Sequence, residues 1–542
     1  MKGSPHLPKY HSSATWRLAA LAALSFLVST HVLGQGQRPD PQLRPIKHII
    51  VIYQENWSFD SLYGLFPGAN GLANSSAASL NQTDRFDNPL SGQTGQAFDL
   101  ISGSVALTTP PQPIDTNLKP PAVDTRFNAG LNTLLPYDVL ANSTLQPNDK
   151  TGDIVHRFWH EQSQIDHGAM DWFVTWSDNP GLVMSYFDAT NMPEGLLAQK
   201  YTMCDNFFHA AFGGSFLNHQ FLVAAAAPVY PNAPASMQAT LDTDGQLLVD
   251  STTGKIVHDG NITPIGGPSF SVAGATFDKN YAINTIFSAN LVPTTSTVGS
   301  ASLLPAVNDS NPSDPVRPYT SNIGDRLSAS RVSWKWYSGG WDNALASTAS
   351  NPANNGVVPT NPPVDPLFQW HHQPLAYFDN YAPWVGGVRN PASAAHLQDE
   401  NDFFTDLKSE HLPSVVFIKP LGPDNEHPGY AGLQQGQQHV ADLVNAVRHS
   451  DYWENSLIIV TYDEHGGRWD HVTPPTSNGI WGDGSRVPAI VIGRFAKRGF
   501  VDHTQHDTLS ILKTIEQRFG LAPLNSMDAQ ASSLKSSLKL DN

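Results

Sequence analysis

Four short runs of the chain are apolar at nearly every position: Ile46–Tyr53, Ser414–Ile418, Leu457–Tyr462 and Val487–Ile492. Each is rich in β-branched residues and lacks the in–out alternation of a half-exposed strand. Each therefore predicts a strand of a parallel sheet buried on both faces. Two other stretches carry a helical period. Gln434–Arg448 lines up Val440, Leu443, Val444 and Val447, and Thr508–Phe519 lines up Leu509, Leu512, Ile515 and Phe519 before stopping at Gly520. The order strand, strand, helix, strand, strand, helix predicts an α/β fold, a central mostly parallel sheet sandwiched by helices with right-handed crossovers. Residues 227–322 and 347–365 lose both periods and are rich in Ser, Thr, Asn, Gly and Pro, so they read as β-rich or irregular insertions. The tail from Ser526 is expected to be loosely ordered.

Composition narrows this picture. With 48 acidic against 31 basic residues the formal net charge is -17. That balance opposes nucleic-acid binding, which needs clustered cations. A length of 542 residues gives a prior of about three or four domains. One large α/β core from residue 35 to 542 with long insertions competes with that prior, and is the organisation expected. The single cysteine, Cys204, excludes an intramolecular disulfide and any zinc site built from several cysteines, and is expected to be a buried core thiol. Residues 1–34 read as a secretory signal: Lys2, Lys9 and Arg17 precede the apolar run Leu18–Leu27, and small or apolar residues lead to Gly34. That run is shorter than the roughly 20 residues of a membrane span. The expected protein is thus periplasmic or secreted, without stable membrane insertion.

The polar residues that follow the predicted strands carry the chemistry. Ligands of open α/β sheets sit beyond the carboxyl ends of the strands. The first strand runs into Glu55, Asn56, Trp57, Ser58, Phe59 and Asp60. The third runs into Asp463, Glu464, His465, Gly466 and Gly467, then Asp470 and His471. The second is followed by Lys419 and Pro420 and, after a turn, by Asn425, Glu426, His427 and Pro428. Singly, an Asn-x-Ser is often a helix cap and an Asp-Glu-His-Gly-Gly a polar turn. Together, Glu55, Asn56, Asp463 and Glu464 bring four oxygen donors to one edge, a set suited to a hard or borderline divalent cation.

These residues also form motifs. Glu55-Asn56-Trp57-Ser58-Phe59-Asp60 resembles the Glu-Asn-Arg-Ser-Phe-Asp opening of the phosphoesterase family of phospholipases C and acid phosphatases. Asp463-Glu464-x-Gly-Gly-x-x-Asp470-His471-Val472 resembles its second motif and Glu426-His427-Pro428 a third, so the likeness runs from about Lys47 to Gly520. It implies an alkaline-phosphatase-like fold and one divalent metal ion held by Glu55, Asn56, Ser215, Asp463 and Glu464. It also implies a phosphoserine formed on Ser215, which stands behind Gly213 and Gly214. Histidines would protonate the leaving group and bind phosphoryl oxygens: His427, His372 and His160 for catalysis, and His156, His371, His471 and Asn218 for substrate. Imidazole suits both tasks because its ordinary pKa is about 6.5. Trp57 departs from the family's arginine. Gly213-Gly214-Ser215 departs from the Thr-x-Pro-Asn of the lipase branch and resembles the acid phosphatase branch.

The expected function is an exported, metal-dependent phosphoric-ester hydrolase, first an acid phosphatase, with phospholipase C acting on a phospholipid headgroup as the alternative. A non-catalytic surface protein that binds through the Asn-rich insertion is the reading from another class. Carboxylates assembled at three strand ends oppose it.

Overall fold

The structure, a computed structural model, describes residues 37–540 apart from the stretches 91–123, 285–321 and 354–364 and several shorter breaks. The expected signal segment 1–34 and most of 347–365 lie outside the described residues. We label the strands of the central sheet β1 (His48–Gln54), β2 (Thr202–Cys204), β3 (Trp334–Ser338), β4 (Leu397–Asp399), β5 (Val415–Lys419), β6 (Ser456–Tyr462), β7 (Ala489–Gly493) and β8 (Phe500–Asp502). They form one eight-stranded sheet in the order β4-β3-β5-β1-β6-β7-β2-β8. The helices that matter here are α1 (Phe158–Ile165), α2 (Pro193–Lys200), α3 (Ser215–Ala224), α4 (Leu433–Arg448) and α5 (Leu509–Phe519).

The apolar runs become the sheet for the expected reason. Ile49–Ile52, Val415–Ile418 and Leu457–Val460 are all at most 1% exposed, buried on both faces. β1 lies between β5 and β6 and is parallel to both, with Ile52 beside Ile418 and Gln54 beside Tyr462. That register sets Glu55, Lys419 and Asp463 side by side at one edge. Helix α4, which buries Val440, Leu443, Val444 and Val447, connects β5 to β6.

Two expectations need correction. The run Val487–Ile492 forms β7, but β7 is antiparallel to both β6 and β2. Full burial demands an apolar strand without fixing its direction, and among the described residues the link from β6 to β7 carries no α-helix to turn the chain for a parallel return. The tail from Ser526 is ordered, with a helix over Ser526–Gln530. Leu534 and Leu538 are buried, and the Ser537 hydroxyl donates to Asp502 at 2.7 Å. The apolar pair at i and i+4 docks the tail. Within 227–322, Ile262–Ile265 pairs with Asn280–Ile283 and Phe270–Val272 with Ala275–Phe277, both antiparallel, in keeping with a β-rich insertion. Cys204 is buried, which pushes its thiol up to about 12.

Candidate active site

The site is assembled where β1, β5 and β6 end. Just past β1, Glu55 donates its N–H to the carbonyl of Asn425 at 3.0 Å, tying the first motif to the third. Asn56 follows in the left-handed region (φ 63°), a conformation that costs a non-glycine residue energy and clusters at functional positions. Its N–H donates to Asp463 Oδ1 at 3.0 Å, and Gly466 packs against its carbonyl so closely that a Cβ there would stand 2.2 Å from the oxygen. The glycine of the second motif is thus required by the backbone of the first. Trp57 is buried and donates its indole N–H to the Glu426 carbonyl at 2.9 Å, so this position does not face a substrate. Arg468 lies 4.1 Å above its ring.

Ser215 is the first residue of α3, reached through Gly213 and Gly214, which have φ of 50° and 48°. A Cβ on Gly213 would stand 2.1 Å from the Arg157 carbonyl carbon, so the turn admits only glycine there. The helix N-terminus favours negative charge near the Ser215 oxygen. The Ser215 side chain lies beside the Asp463 carboxylate and helps to hold it ionised.

Imidazoles line the rest of the site with one shared design. Nδ1 of His156, His219 and His427 donates to the carbonyls of Ile154 (2.6 Å), Ser215 (2.7 Å) and Pro428 (2.5 Å). Each backbone bond fixes the tautomer and turns Nε2 towards the cluster. There Asn56 Nδ2 lies 3.2 Å from His156 and 3.0 Å from His427. His372 Nε2 is 2.8 Å from Glu55 Oε1, and His371 and His219 ring centroids are 5.3 Å apart. The mouth is at His427 and His156, 8% and 7% exposed, against 3% for Ser215 and 1% for Glu55.

Burial opposes the charge of Glu55, but Lys419 Nζ at 2.5 Å and His372 override it and hold the carboxyl well below its usual range. For Asp463, burial and the neighbouring Glu55 charge push the pKa up to about 7. Glu464 is pushed well above its usual value by burial and by Asp463. Burial pulls His156 down to about 3 and His372 to about 4, and lowers His427 as well. Crowded buried carboxylates beside neutral imidazoles are an arrangement that a bound cation would stabilise. Oxygen donors are available to one: Asn56 Oδ1, Asp463 Oδ2 and Glu464 Oε1 are buried with no hydrogen-bond partner among the described residues. Glu55, Asn56, Asp463 and Glu464 would hold a divalent ion through oxygen, with Ser215 beside them.

Of the residues singled out from the sequence, Glu55, Asn56, Ser215, His156, His371, His372, His427, Asp463 and Glu464 come together. Three do not. His160 sits within α1, fully buried, with its Nδ1 3.7 Å from Asp259 and its ring against Trp176. Asn218 turns back on the glycine loop, donating to the carbonyls of Ala211 and Gly213. His471 pairs with Asp60 at 2.6 Å, in a scaffold where buried Arg486 bridges Asp60 and Asp470. Two further residues, to which the sequence assigns no role, join the site. Lys419 was visible directly after its strand, and His219 stands four residues after Ser215, the spacing that puts both on one helix face.

Comparison with known proteins gives the chain's relatives. The chain is 23% identical over 542 residues to phospholipase C B of Mycobacterium tuberculosis, covering 94% of this chain and 80% of that one. It is 34% identical over 149 residues to non-specific phospholipase C5 of Arabidopsis thaliana, covering 22% of this chain and 28% of the relative. Among solved structures, a phosphonate monoester hydrolase from Silicibacter pomeroyi matches 64% of this chain and 71% of its own at 11% identity, with a TM-score of 0.28. The model of the Phosphoesterase family matches residues 46–522, nearly the whole span from β1 past α5. Those residues carry all three motifs and every side chain of the cluster around Ser215, and the chain belongs to the Phosphoesterase family, as a phosphoric-ester hydrolase.

Proposed function

We propose that the protein hydrolyses phosphomonoesters in two steps through Ser215, with His427 as the acid for the leaving group. The observation that carries this reading is Ser215 at a helix N-terminus, beside the Asp463 carboxylate and in the same buried cluster as the site's imidazoles. A divalent cation held by Glu55, Asn56, Asp463 and Glu464 supplies, when bound, charge neutralisation for the phosphoryl oxygens and for the serine oxygen. Ser215 Oγ, having released its proton to solvent, attacks phosphorus, and Asp463 stays ionised throughout. As the phosphorus–oxygen ester bond breaks, the departing oxygen takes a proton from His427. Water then attacks the phosphoserine and gives its proton to the now neutral His427, the phosphorus–Oγ bond breaks, and inorganic phosphate leaves with Ser215 and His427 restored. His156, His371 and His372 line the position of the phosphoryl group, and the α3 N-terminus adds its dipole.

His427 is assigned the acid role because it stands at the mouth, where a leaving group must exit, whereas His372 is deeper and paired with Glu55. Replacing His427 by glutamine is expected to lower kcat about 10²- to 10³-fold on an alkyl phosphate. On a nitrophenyl phosphate, whose leaving group needs no proton, the loss is expected to be less than about tenfold. Equal losses on both substrates would remove His427 as the acid. Because burial lowers the His427 pKa, its protonated form belongs to the acid side, and kcat/KM is expected to fall as pH rises towards neutrality.

Phospholipase C activity is the second reading, supported by the names of the relatives and by one observation. A cavity of about 820 Å³ lined by Trp172, Trp176, Phe212, Leu247 and Val249 borders the loop that leads to Ser215. Assay of a phosphomonoester against a phosphocholine diester, with and without chelator, decides between the readings. Turnover of the diester alone would replace the first with the second. We further propose export, on the Met1–Gly34 pattern; N-terminal sequencing of protein recovered outside the cytoplasm should begin near Gln35, and an intact Met1 would refute it.

A further inference from the structure

The turn that presents Ser215 is gripped from behind by a carboxylate outside the site described above. Glu161, on α1 and wholly buried, accepts the Gly213 N–H through Oε2 and the Ser485 N–H through Oε1 at 2.7 Å. His209 Nε2 lies 2.9 Å from the same Oε1, and His209 Nδ1 donates to the Ala211 carbonyl at 2.8 Å. The other face of the turn is held by Asn218, which donates to the Gly213 carbonyl at 2.6 Å and accepts the Ala211 N–H at 3.0 Å. Gly214 N–H donates to the His156 carbonyl at 2.8 Å. His465 joins the group to the sheet edge, its Nδ1 3.3 Å from Glu161 and 3.4 Å from Glu464.

One carboxylate therefore fixes the glycine turn against the loop that holds Ser485 and, through His465, against the residue after β6 that offers an oxygen to the cation. Two consecutive glycines of positive φ leave the turn free to move unless its polar groups are engaged. A glutamine at this position has one acceptor oxygen, so it cannot receive the Gly213 and Ser485 N–H groups on two separate oxygens.

We propose that Glu161 is a positioning residue that sets where the Ser215 oxygen stands relative to phosphorus, acting through its bond to Gly213 and its pairing with His209. This rests on the reading of Ser215 as nucleophile. Misplacement of a reacting atom by about 1 Å costs on the order of 10²-fold in rate. The test is Glu161→Gln in the full chain, with nitrophenyl phosphate as substrate, read as kcat, KM, bound metal per chain and the single-turnover rate of phosphoserine formation. The expected result is a fall of about 100-fold in kcat and in phosphoserine formation, with KM and bound metal within about threefold of the parent. A folded Glu161→Gln protein with kcat within about threefold of the parent would overturn the proposal. Loss of bound metal together with rate would also overturn it, by assigning the cluster to cation retention. If Glu161→Gln does not fold, Glu161→Asp decides on the same split: it keeps the charge with a shorter reach, and a fall in kcat of at least about tenfold sustains the proposal. Ser215→Ala assayed in parallel separates the two ideas. An active Ser215→Ala removes the nucleophile and this proposal with it, whereas an inactive one beside a fully active Glu161→Gln removes the proposal alone.

Discussion

Replacing Ser215 by alanine is expected to lower kcat by about four to six powers of ten, the scale on which loss of a covalent nucleophile is felt. The change removes one oxygen from the first turn of α3 and leaves the glycine turn, whose bonds are made by Glu161, Asn218 and the His156 carbonyl. The melting temperature should therefore shift by no more than a few degrees, and the bound-metal content should fall only modestly. Acid quench of the parent enzyme during turnover should trap a phosphorylated peptide containing Ser215, and the alanine variant should yield none. Turnover within about tenfold of the parent in a folded Ser215→Ala protein, or a phosphopeptide elsewhere in the chain, would dismiss the nucleophile assignment. The alternative in which Ser215 serves only as a helix start and turn residue makes the opposite prediction, a stability change with activity retained.

Much of this site was legible in the sequence because it lies immediately after strands whose pattern is unmistakable. Ile49–Ile52, Val415–Ile418 and Leu457–Val460 announce a doubly buried sheet, and the polar residue that ends each run has to stand at the sheet edge. Glu55, Asp463 and Glu464 were found this way. What the pattern does not contain is direction and side-chain aim. The run that became β7 reads the same for either direction. Of the two imidazoles at 156 and 160, His156 precedes α1 in extended chain and faces Asn56, while His160 lies inside the helix and faces Asp259. Asp259 belongs to the β-rich insertion, so the orientation of His160 depends on a contact about a hundred residues distant that no local period encodes. His471 was drawn away by Asp60, a residue of the first motif itself, which shows that a motif mixes working groups with the scaffold that holds them. Lys419 stands directly after its strand, where the sequence alone gives it no role. Only the register that sets it beside Glu55 shows it buried.

The second large effect concerns the cation, and its sign follows from the carboxyls. Burial and the neighbouring Glu55 charge push Asp463 up to about 7 from an ordinary 3.8, and burial with Asp463 raises Glu464 well above its own value. The folded metal-free protein therefore keeps protons that the unfolded chain has already lost. For Asp463 that contribution to stability is full below about pH 4 and is lost as pH rises through about 7. A bound cation replaces those protons. Its apparent affinity should weaken about tenfold for each pH unit and each displaced proton as pH falls below neutrality, about 1.4 kcal/mol per unit. Chelation is expected to abolish turnover and re-addition of the ion to restore it. The rise in melting temperature produced by a fixed excess of metal should grow from about pH 5 to about pH 8. In Asp463→Asn the affinity should drop by at least about 100-fold and its pH dependence should lose one proton. A metal-induced stabilisation that is absent, or larger at acid pH, would refute this ligand set. The two demands on the site run in opposite directions: His427 must carry a proton to serve as acid, and Asp463 must have lost one to hold the ion. Raising the metal concentration should therefore move the acid limb of the pH–rate profile to lower pH and leave the alkaline limb in place, because only the acid limb reports competition between protons and the cation.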